Sequence, residues 1–483
     1  MPDNGRAPEA AVESVPQHIA GSWTSEGRPL PLVDPFTGLT ISEVATASDA
    51  QVDAAVATLS SATTRPPLPL HERARVLRRT SELVAERRER IVATIVGESG
   101  FTVQDATTEV DRAVETLLLC AEEARRLVGE MVPLDGAPGI AGRLGFTVRH
   151  PVGVVCAITP FNSPLNTVSH KVGPAVAAGC PVLLKPSPRT PRTAVLLVEA
   201  LLDAGLPADH VALVHGDGPD VGQRLLDHPD VALYAFTGST AVGEHIARSV
   251  GLRRRQLELG SIASTIVCAD AHLDAAVPLV VNAGYRKAGQ VCTSVQRLYV
   301  QQDVLDETVD RLLAAVAALR VGDPTDPATQ VGTLITEEAA TRVAAWAQAA
   351  VDGGAERLAG GGRDRALLEP VVLRGVDATM DVMRREVFGP LLSIIPFRDL
   401  DEAVSGANDT PYGLAVGLFT DDLPRALAAA TRLRFGSVHI NQTSSARVDL
   451  MPYGGVKASG TGQEGPRYAV REMTEERLVT ITT

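Results

Sequence analysis

Residues 151–159 read PVGVVCAIT, a β-branched run that opens a regular alternation of short strands and helices. The strand-like runs that follow are almost continuously apolar, and the segments between them have helical spacing. These runs are PVLLKPS at 181–187, HVALVHG at 210–216 and VALYAFTG at 231–238. Strands that are apolar on both faces and separated by helices are typical of a parallel sheet covered on both sides. We therefore predict an α/β fold here, with ligands outside the carboxyl ends of the strands.

The flanking sequence predicts further elements. Residues 50–127 have apolar positions at three- and four-residue spacing, which predicts helices, and a second strand–helix alternation begins after residue 260. The Gly- and Pro-rich residues 132–151 predict a β-hairpin or an extended strand. ERLVTITT at 476–483 predicts another strand, and residues 1–20 are predicted to form a mobile tail.

Length and charge limit the possible functions. A single core rarely grows beyond about 250–300 residues, so we expect at least two domains in this 483-residue chain. The formal net charge of −13 argues against nucleic acid or an anionic membrane as a partner. The acidic N-terminus and the lack of a long apolar run predict a cytoplasmic protein. The five cysteines lack the spacing of a zinc site, so no metal is expected.

Two segments suggest a phosphate- or ribose-binding site. In AFTGSTAVG at 235–243 a strand leads through Gly238 and Ser239 into a helix that contains Gly243, and a helix N-terminus suits a pyrophosphate. An ordinary Gly-rich turn would have the same pattern. Lys185 ends an apolar strand, where its ammonium could bind ribose hydroxyls or a phosphate, although such a lysine is usually only solvated.

Three residues could carry covalent chemistry. Cys292 in GQVCTS offers a thiolate nucleophile, and Glu258 in LELG could serve as the general base for a later water attack. Asn162 stands between two prolines in TPFNSPL, where its amide could donate to a developing oxyanion. Each has a simpler alternative, since a lone cysteine is often an inert core residue and an asparagine often belongs to a turn.

Taken together, the motifs resemble the aldehyde dehydrogenase superfamily, from about Val33 to Val479. Eight segments occur in the family's order, which chance would hardly produce. They are TPFN, KPS, FTGST-x-x-G, ELG, GQ-x-C, E-x-FGP, N-x-x-x-YGL and PYGG-x-K-x-SG.

The resemblance implies a role for each matched residue. It implies that Cys292 attacks the aldehyde, that Asn162 with the Cys292 amide stabilises the oxyanion, and that Glu258 activates the hydrolytic water. It also implies contacts with NAD, or with NADP, which the sequence does not exclude. The residues implied to bind this cofactor are Thr159, Pro160, Lys185, Gly238, Ser239, Gly243, Glu386 and Phe388.

The implied architecture has three parts: a Rossmann-type NAD(P)-binding domain, an α/β catalytic domain and a small β extension for oligomerisation. The cofactor domain would comprise residues 1–131 and 152–258, and the catalytic domain residues 259–468. The extension would comprise 132–151 and 469–483. Because an edge strand there could pair with another subunit, we expect a homodimer or homotetramer.

The sequence departs from the family at several positions. Ser261 replaces a second glycine after ELG, and Phe161 and Ser163 replace larger residues beside Asn162, which predicts an altered pocket. Pro188 stands where NAD-preferring members often have a glutamate, and Arg189 could attract a 2′-phosphate. NAD is favoured only slightly.

The predicted substrate is a short, hydroxylated or anionic aldehyde. NTVSHKVGP and RVD-x-MPYGG resemble family members that act on such aldehydes, and Arg112, His170 and Arg447 could supply positive charge. Alternatively, these three are ordinary helix and loop residues. Val291 replaces the arginine that a phosphonoacetaldehyde-type member would carry before the nucleophile, which favours a smaller or uncharged aldehyde.

Two other functions remain open. A CoA-acylating semialdehyde dehydrogenase would share the fold, but such enzymes characteristically lack the glutamate present here as Glu258. An inert family member could act as a binding protein, and the intact set of Cys292, Glu258 and Asn162 argues against it.

Overall fold

The computed structural model describes residues 14–140 and 142–482. Its α-helices are α1 (Asp49–Thr63), α2 (Leu70–Glu86), α3 (Arg88–Ser99), α4 (Val103–Arg125), α5 (Asn166–Ala178), α6 (Pro191–Asp203), α7 (Gln223–Asp227), α8 (Thr240–Ser249), α9 (Leu273–Tyr285), α10 (Leu305–Ala317), α11 (Glu337–Asp352), α12 (Asp381–Arg384), α13 (Leu400–Asn408), α14 (Leu423–Ala430) and α15 (Pro466–Glu472). The predicted helices between residues 50 and 127 are confirmed as α1–α4.

The strands form sheets of different size. They are β1 (Ser14–Val15), β2 (Gln17–Ile19), β3 (Ser22–Thr24), β4 (Arg28–Val33), β5 (Thr40–Thr46), β6 (Met131–Val132), β7 (Arg143–Pro151), β8 (Val154–Ile158), β9 (Val182–Lys185), β10 (Val211–Leu213), β11 (Val231–Thr237), β12 (Arg254–Glu258), β13 (Ala263–Val267), β14 (Val295–Gln301), β15 (Glu356–Ala359), β16 (Arg363–Asp364), β17 (Leu367–Leu368), β18 (Val371–Arg374), β19 (Leu391–Phe397), β20 (Ala415–Phe419), β21 (Ser437–Ile440), β22 (Gly460–Thr461) and β23 (Thr474–Thr482).

The first sheet has the order β22-β12-β11-β8-β9-β10-β2-β3. Its central strands β12, β11, β8, β9 and β10 are parallel, as predicted from their apolar runs. Helices α5 and α6 are almost wholly buried against it, because their sequences are apolar on most sides. The α/β prediction is therefore confirmed.

The predicted mobile tail is wrong for residues 14–19. Residues 14–15 pair with β5, and residues 17–19 join the first sheet beside β10. The buried His18 side chain explains part of this order, because its Nδ1 hydrogen-bonds the Val211 carbonyl at 2.9 Å. Residues 1–13 lie outside the described residues.

The second sheet has the order β15-β18-β19-β14-β13-β20-β21, and all its strands are parallel except β15. It contains the second strand–helix alternation predicted after residue 260. Its own buried core includes α9, α10 and α11, separate from the core beneath the first sheet.

The third sheet is antiparallel, with the order β23-β7-β6. Strand β23 pairs with β7 along its whole length, from Thr474 opposite Pro151 to Thr482 opposite Arg143. This confirms an extended strand within 132–151 and a strand near the end of the sequence. Among the described residues, no helix is both long and apolar enough to span a membrane.

The first sheet brings the predicted site residues to one edge. Strand β9 ends at Lys185, β11 at Thr237 and β12 at Glu258, and Thr159 follows β8 directly. Because these strands are parallel, their carboxyl ends meet at the same edge.

Candidate active site

Cys292 lies at the end of a backbone turn with unusual conformation. Lys287, Ala288 and Gly289 have φ values of 52°, 51° and 69°. A Cβ at position 289 would come within 2.1 Å of the Gly389 carbonyl oxygen, so this position requires glycine. Non-glycine residues in the left-handed region are strained and persist where the surrounding structure enforces them. The turn leads to Cys292, which is partly exposed as a residue, whereas the other four cysteines are buried.

Glu258 is 4% exposed, and its Oε1 has no hydrogen-bond partner among the described side chains and backbone. Burial raises the pKa of this carboxyl, and the negative charge of Glu464 raises it further. Arg447, Lys171 and the nearby Cys292 side chain act in the opposite direction. Burial and the charge of Glu258 raise the pKa of the Cys292 thiol, so the glutamate makes the thiol harder to ionise.

Asn162 lies in the turn between β8 and α5, and its Nδ2 donates to the Gln290 carbonyl at 2.9 Å. This bond fixes the amide beside the segment that carries Cys292. The turn is anchored by Glu109, which accepts from the Ser163 hydroxyl at 2.7 Å and from the Lys287 ammonium at 2.7 Å. Ser163, which stands where the family commonly has a larger residue, thus contributes one of the hydrogen bonds that anchor the turn.

Behind Glu258 lies a buried carboxylate that the sequence analysis missed. Glu464 is 1% exposed and accepts from Lys171 at 2.7 Å, Arg447 at 2.9 Å and Thr237 at 3.2 Å. The two cations hold the pKa of Glu464 well below its usual range against the effect of burial. The sequence could have indicated this carboxylate through Lys171, because a lysine buried within α5 needs an acidic partner.

The predicted cofactor residues lie at the edge formed by β9, β11 and α8. Lys185 is 4% exposed and forms no ion pair within the described ranges, and burial lowers its pKa to about 8. Ser239 caps α8, accepting from the Val242 amide at 3.5 Å. A Cβ at Gly243 would lie 2.3 Å from Leu259 Cδ2, so the missing side chain is needed for packing between α8 and the Glu258 segment.

Glu386 lies beside Gly260, near Thr240 at the start of α8, and Phe388 follows it two positions along the chain. Glu386 accepts from the Ser261 amide at 3.0 Å, and burial raises its pKa to about 7. Gly260 leaves space for it, since a Cβ there would be 2.8 Å from Glu386 Oε2. Phe388 has a φ of 48° and packs edge-on against Phe161, with ring centroids 5.9 Å apart.

Thr159 and Pro160 occupy the start of the Asn162 turn. The Thr159 amide donates to the Lys185 carbonyl at 3.1 Å, which ties this turn to the end of β9. The Thr159 hydroxyl is buried without a partner in the described structure. Pro160 is partly exposed.

Two of the predicted substrate residues bind one carboxylate. Asp449 accepts from Arg112 at 2.7 Å and lies 2.8 Å from the Nε2 of His170. His170 is fully buried, whereas the Arg112 side chain is 27% exposed. Arg447 is instead paired with Glu464 and stacks 3.8 Å from the centre of the Tyr453 ring.

Arg286 is a further cation that the sequence analysis missed. Burial lowers its pKa, and the charge of Arg112 lowers it too, while Asp105 and Cys292 raise it, which places it near both the thiol and Arg112. Its guanidinium donates to the Ser445 hydroxyl at 2.7 Å and pairs with no carboxylate in the part of the chain described. The residue is partly exposed.

Comparison with known proteins places this site in a family. The model of the aldehyde dehydrogenase family matches residues 23–479. A 3-sulfolactaldehyde dehydrogenase from Priestia aryabhattai is 43% identical over 464 residues, which are 96% of this chain and 97% of that protein.

Solved structures agree. Aldehyde dehydrogenase 21 from Physcomitrella patens, in complex with the reaction product succinate, is 33% identical with a TM-score of 0.95 over 98% of this chain and 99% of that one. A glyceraldehyde-3-phosphate dehydrogenase from Methanocaldococcus jannaschii, complexed with NADP, is 34% identical with a TM-score of 0.90 over 94% and 100%. With the parallel sheets and the residues gathered at their edge, these matches show that the chain belongs to the aldehyde dehydrogenase family and is an NAD(P)-dependent oxidoreductase.

Proposed function

We propose that the protein oxidises a short anionic aldehyde to its carboxylic acid, with Cys292 as the nucleophile and Glu258 as the base for hydrolysis. The observation that supports this most strongly is the closeness of Cys292, a partly exposed residue, to the buried carboxyl of Glu258, whose Oε1 has no partner in the described structure. A raised pKa is what a carboxyl needs to act as a general base near neutral pH.

Each protein group has a defined task in this reaction. The Cys292 sulfur adds to the aldehyde carbon, and the carbonyl oxygen becomes an alkoxide that the Asn162 amide stabilises. One such donor contributes roughly 3–4 kcal/mol. After oxidation leaves a thioester on Cys292, Glu258 takes a proton from water, whose oxygen attacks the thioester carbon and releases the acid and the thiol.

The groups at the edge of the first sheet suit a dinucleotide. The exposed N-terminus of α8 with Ser239 suits a pyrophosphate, and Lys185, which forms no ion pair among the described residues, suits a ribose or phosphate. Glu386 lies at the same edge, beside Gly260. When bound, NAD(P)+ accepts the hydride from the aldehyde carbon. Arg189 is exposed and no acidic residue follows Lys185 at position 188, so the proposal includes both NAD+ and NADP+.

Arg286 and Arg112 support an anionic substrate. Arg286 donates to a neutral hydroxyl, so its charge is not matched by a bonded carboxylate in the described chain, and it lies close to the thiol. Arg112 adds a second guanidinium near Arg286, and its own side chain is bound to Asp449 through Nε at 3.2 Å and Nη2 at 2.7 Å. A carboxylate, sulfonate or phosphate on the aldehyde would give Arg286 its counter-ion. The relatives act on 3-sulfolactaldehyde or yield succinate, both of which carry such a group.

The nucleophile is tested by Cys292→Ala. We expect this variant to produce no reduced cofactor with any aldehyde, while cofactor binding measured by calorimetry is retained. Cys268→Ala is the matched control, because Cys268 is buried at the end of β13, and it should keep its turnover. Normal turnover in Cys292→Ala would overturn the assignment.

The substrate class is tested by Arg286→Met. We expect kcat/KM for succinate semialdehyde to fall by about 10- to 100-fold, since a hydrogen bond to a charged group contributes about 1.5–3 kcal/mol. The value for propanal, which has no charge, should change little. Arg311→Met, an exposed arginine on α10, is the control. Equal losses for the charged and neutral aldehydes would contradict an anion-binding role.

The alternative of a CoA-acylating enzyme is tested with the same protein. Turnover in the presence of CoA should still give the free acid, because Glu258 can activate water. Formation of acyl-CoA without free acid would favour the alternative.

A further inference from the structure

The hydroxyl of Tyr453 is 3.0 Å from the sulfur of Cys292. Tyr453 is 3% exposed, and its backbone is bonded to Glu464 in both directions, with distances of 3.1 Å and 2.7 Å. The backbone of Tyr453 is therefore held in place and its ring is buried, which together restrict where the hydroxyl can lie. A phenylalanine would fill the same space but could not bond to the thiol.

A cation lies on the Tyr453 ring. The Arg447 guanidinium is 3.8 Å from the ring centre and is held there by its 2.9 Å ion pair with Glu464. A guanidinium over a phenol ring is attracted to the ring electrons and makes the hydroxyl a better donor. Glu464 therefore holds both parts of the arrangement, through its backbone at Tyr453 and through its side chain at Arg447.

The carboxylates near the Cys292 sulfur disfavour its thiolate form, and a hydrogen-bond donor to the sulfur opposes this effect. Burial, Glu258 and Glu386 raise the pKa of the Cys292 thiol, whereas the hydrogen bond from Tyr453 and the charge of Arg447 lower it. Arg286 is a further cation near the thiol. Because a thiolate reacts and a thiol does not, groups that offset the two carboxylates affect the reactive fraction of the sulfur.

We propose that Tyr453, held by Arg447 and Glu464, is a positioning residue that donates a hydrogen bond to the Cys292 sulfur and thereby favours its thiolate form. The inference rests on the proposed role of Cys292 as the nucleophile. It adds a group that acts before any aldehyde or cofactor binds.

The test is the rate of Cys292 alkylation by iodoacetamide between pH 6 and 10, without substrate or cofactor, in wild type and Tyr453→Phe. The modified cysteine is identified by peptide mass spectrometry. We expect the rate at pH 7 to fall about tenfold and the apparent pKa of alkylation to rise, because a hydrogen bond to a charged group is lost. The melting temperature is measured on the same samples, since a purely structural role would change it without shifting the pH profile.

Tyr234→Phe is the matched control. Tyr234 is a buried tyrosine of β11 whose hydroxyl donates to the Leu225 carbonyl at 2.8 Å, away from the thiol, so its profile should match wild type. Arg447→Gln should shift the profile in the same direction as Tyr453→Phe, by a smaller amount.

An unchanged alkylation profile in folded Tyr453→Phe would overturn the inference. If Tyr453→Phe does not fold, an unchanged profile in Arg447→Gln would overturn it in the same way. Either result is distinguishable from failure of the proposed function, which would appear as normal turnover in Cys292→Ala.

Discussion

Glu258 and Cys292 interact, and burial raises the pKa of both: Glu464 raises the pKa of Glu258 further, and Glu258 raises that of Cys292. Glu258 can take a proton from water only as a carboxylate, and its raised pKa means that this form accumulates at higher pH than for an ordinary glutamate. Thioester hydrolysis should therefore speed up as pH rises through the shifted pKa of Glu258 and then level off.

The Glu258→Gln variant should lose this rise with pH. Its deacylation rate should be about 100- to 10,000-fold lower than wild type, which is the usual contribution of a general base. Rapid-quench mass spectrometry of the acyl-enzyme between pH 5 and 9 measures both effects. A variant that shows no accumulated adduct and releases acid at the normal rate would remove Glu258 from this role.

Site residues that stand in short sequence motifs could be predicted from the sequence, whereas those defined by contacts with distant segments could not. Cys292, Glu258 and Asn162 stand in short motifs, so the sequence alone predicts them as site residues. Tyr453 contacts Cys292 across 161 positions, and Lys171 meets Glu464 across 293. No local pattern encodes such a contact, because the fold alone brings the two segments together.

At the scale of elements, the contact between α8 and the segment after β12 determines how the helix is oriented. The sequence motif associates the glycine at position 243 only with a helix whose N-terminus suits a pyrophosphate. The structure shows a direct packing reason for glycine at this position, because Leu259 fills the space that a side chain at 243 would need. The same motif therefore serves helix packing, which the sequence pattern alone did not reveal.

Gly243→Ala should displace α8 and weaken cofactor binding while the protein still folds. Overpacking of this kind costs about 1–3 kcal/mol. Calorimetric titration with NAD+ and NADP+ should show weaker binding and thermal melting should show a lower Tm. The double variant Gly243→Ala/Leu259→Ala restores space and should recover part of the affinity relative to the single variant. Unaltered affinity in Gly243→Ala would show that the helix tolerates the contact.

At the scale of the whole molecule, the third sheet has an apolar face exposed to solvent. Leu144 lies opposite Ile481, and Phe146 lies opposite both Val479 and Met131, so these side chains share one face. Leu144 and Ile481 are each 45% exposed and Met131 is 67% exposed. Such a face, on an edge strand of nine residues, predicts pairing with another copy of the chain.

Replacing Leu144 and Ile481 together with lysine should shift the protein towards smaller species. Light scattering coupled to gel filtration measures the mass. Thr480→Lys places the same charge on the opposite face of β23 and should leave the mass unchanged. A double variant with the wild-type mass would exclude this face as the interface.

The large-scale organisation could be predicted further than its details. The parallel strands were evident because both of their faces are apolar, and α1–α4 because their spacing is helical. The strands at residues 14–19 were missed, since β1 and β2 are only two and three residues long and depend on partners far along the chain, such as Val211. Short edge strands carry too few residues to show a period.

Four consecutive residues connect the separate parts of the site. Glu258 faces the thiol, Leu259 supports α8, Gly260 makes room for Glu386, and the Ser261 amide bonds to it. A small shift of this tetrapeptide would therefore move Glu258, α8 and Glu386 together. A mutation in this segment that changed the preference between NAD and NADP would therefore also change the hydrolysis rate. We expect natural variation in cofactor preference to occur instead near Pro188 and Arg189, outside this segment.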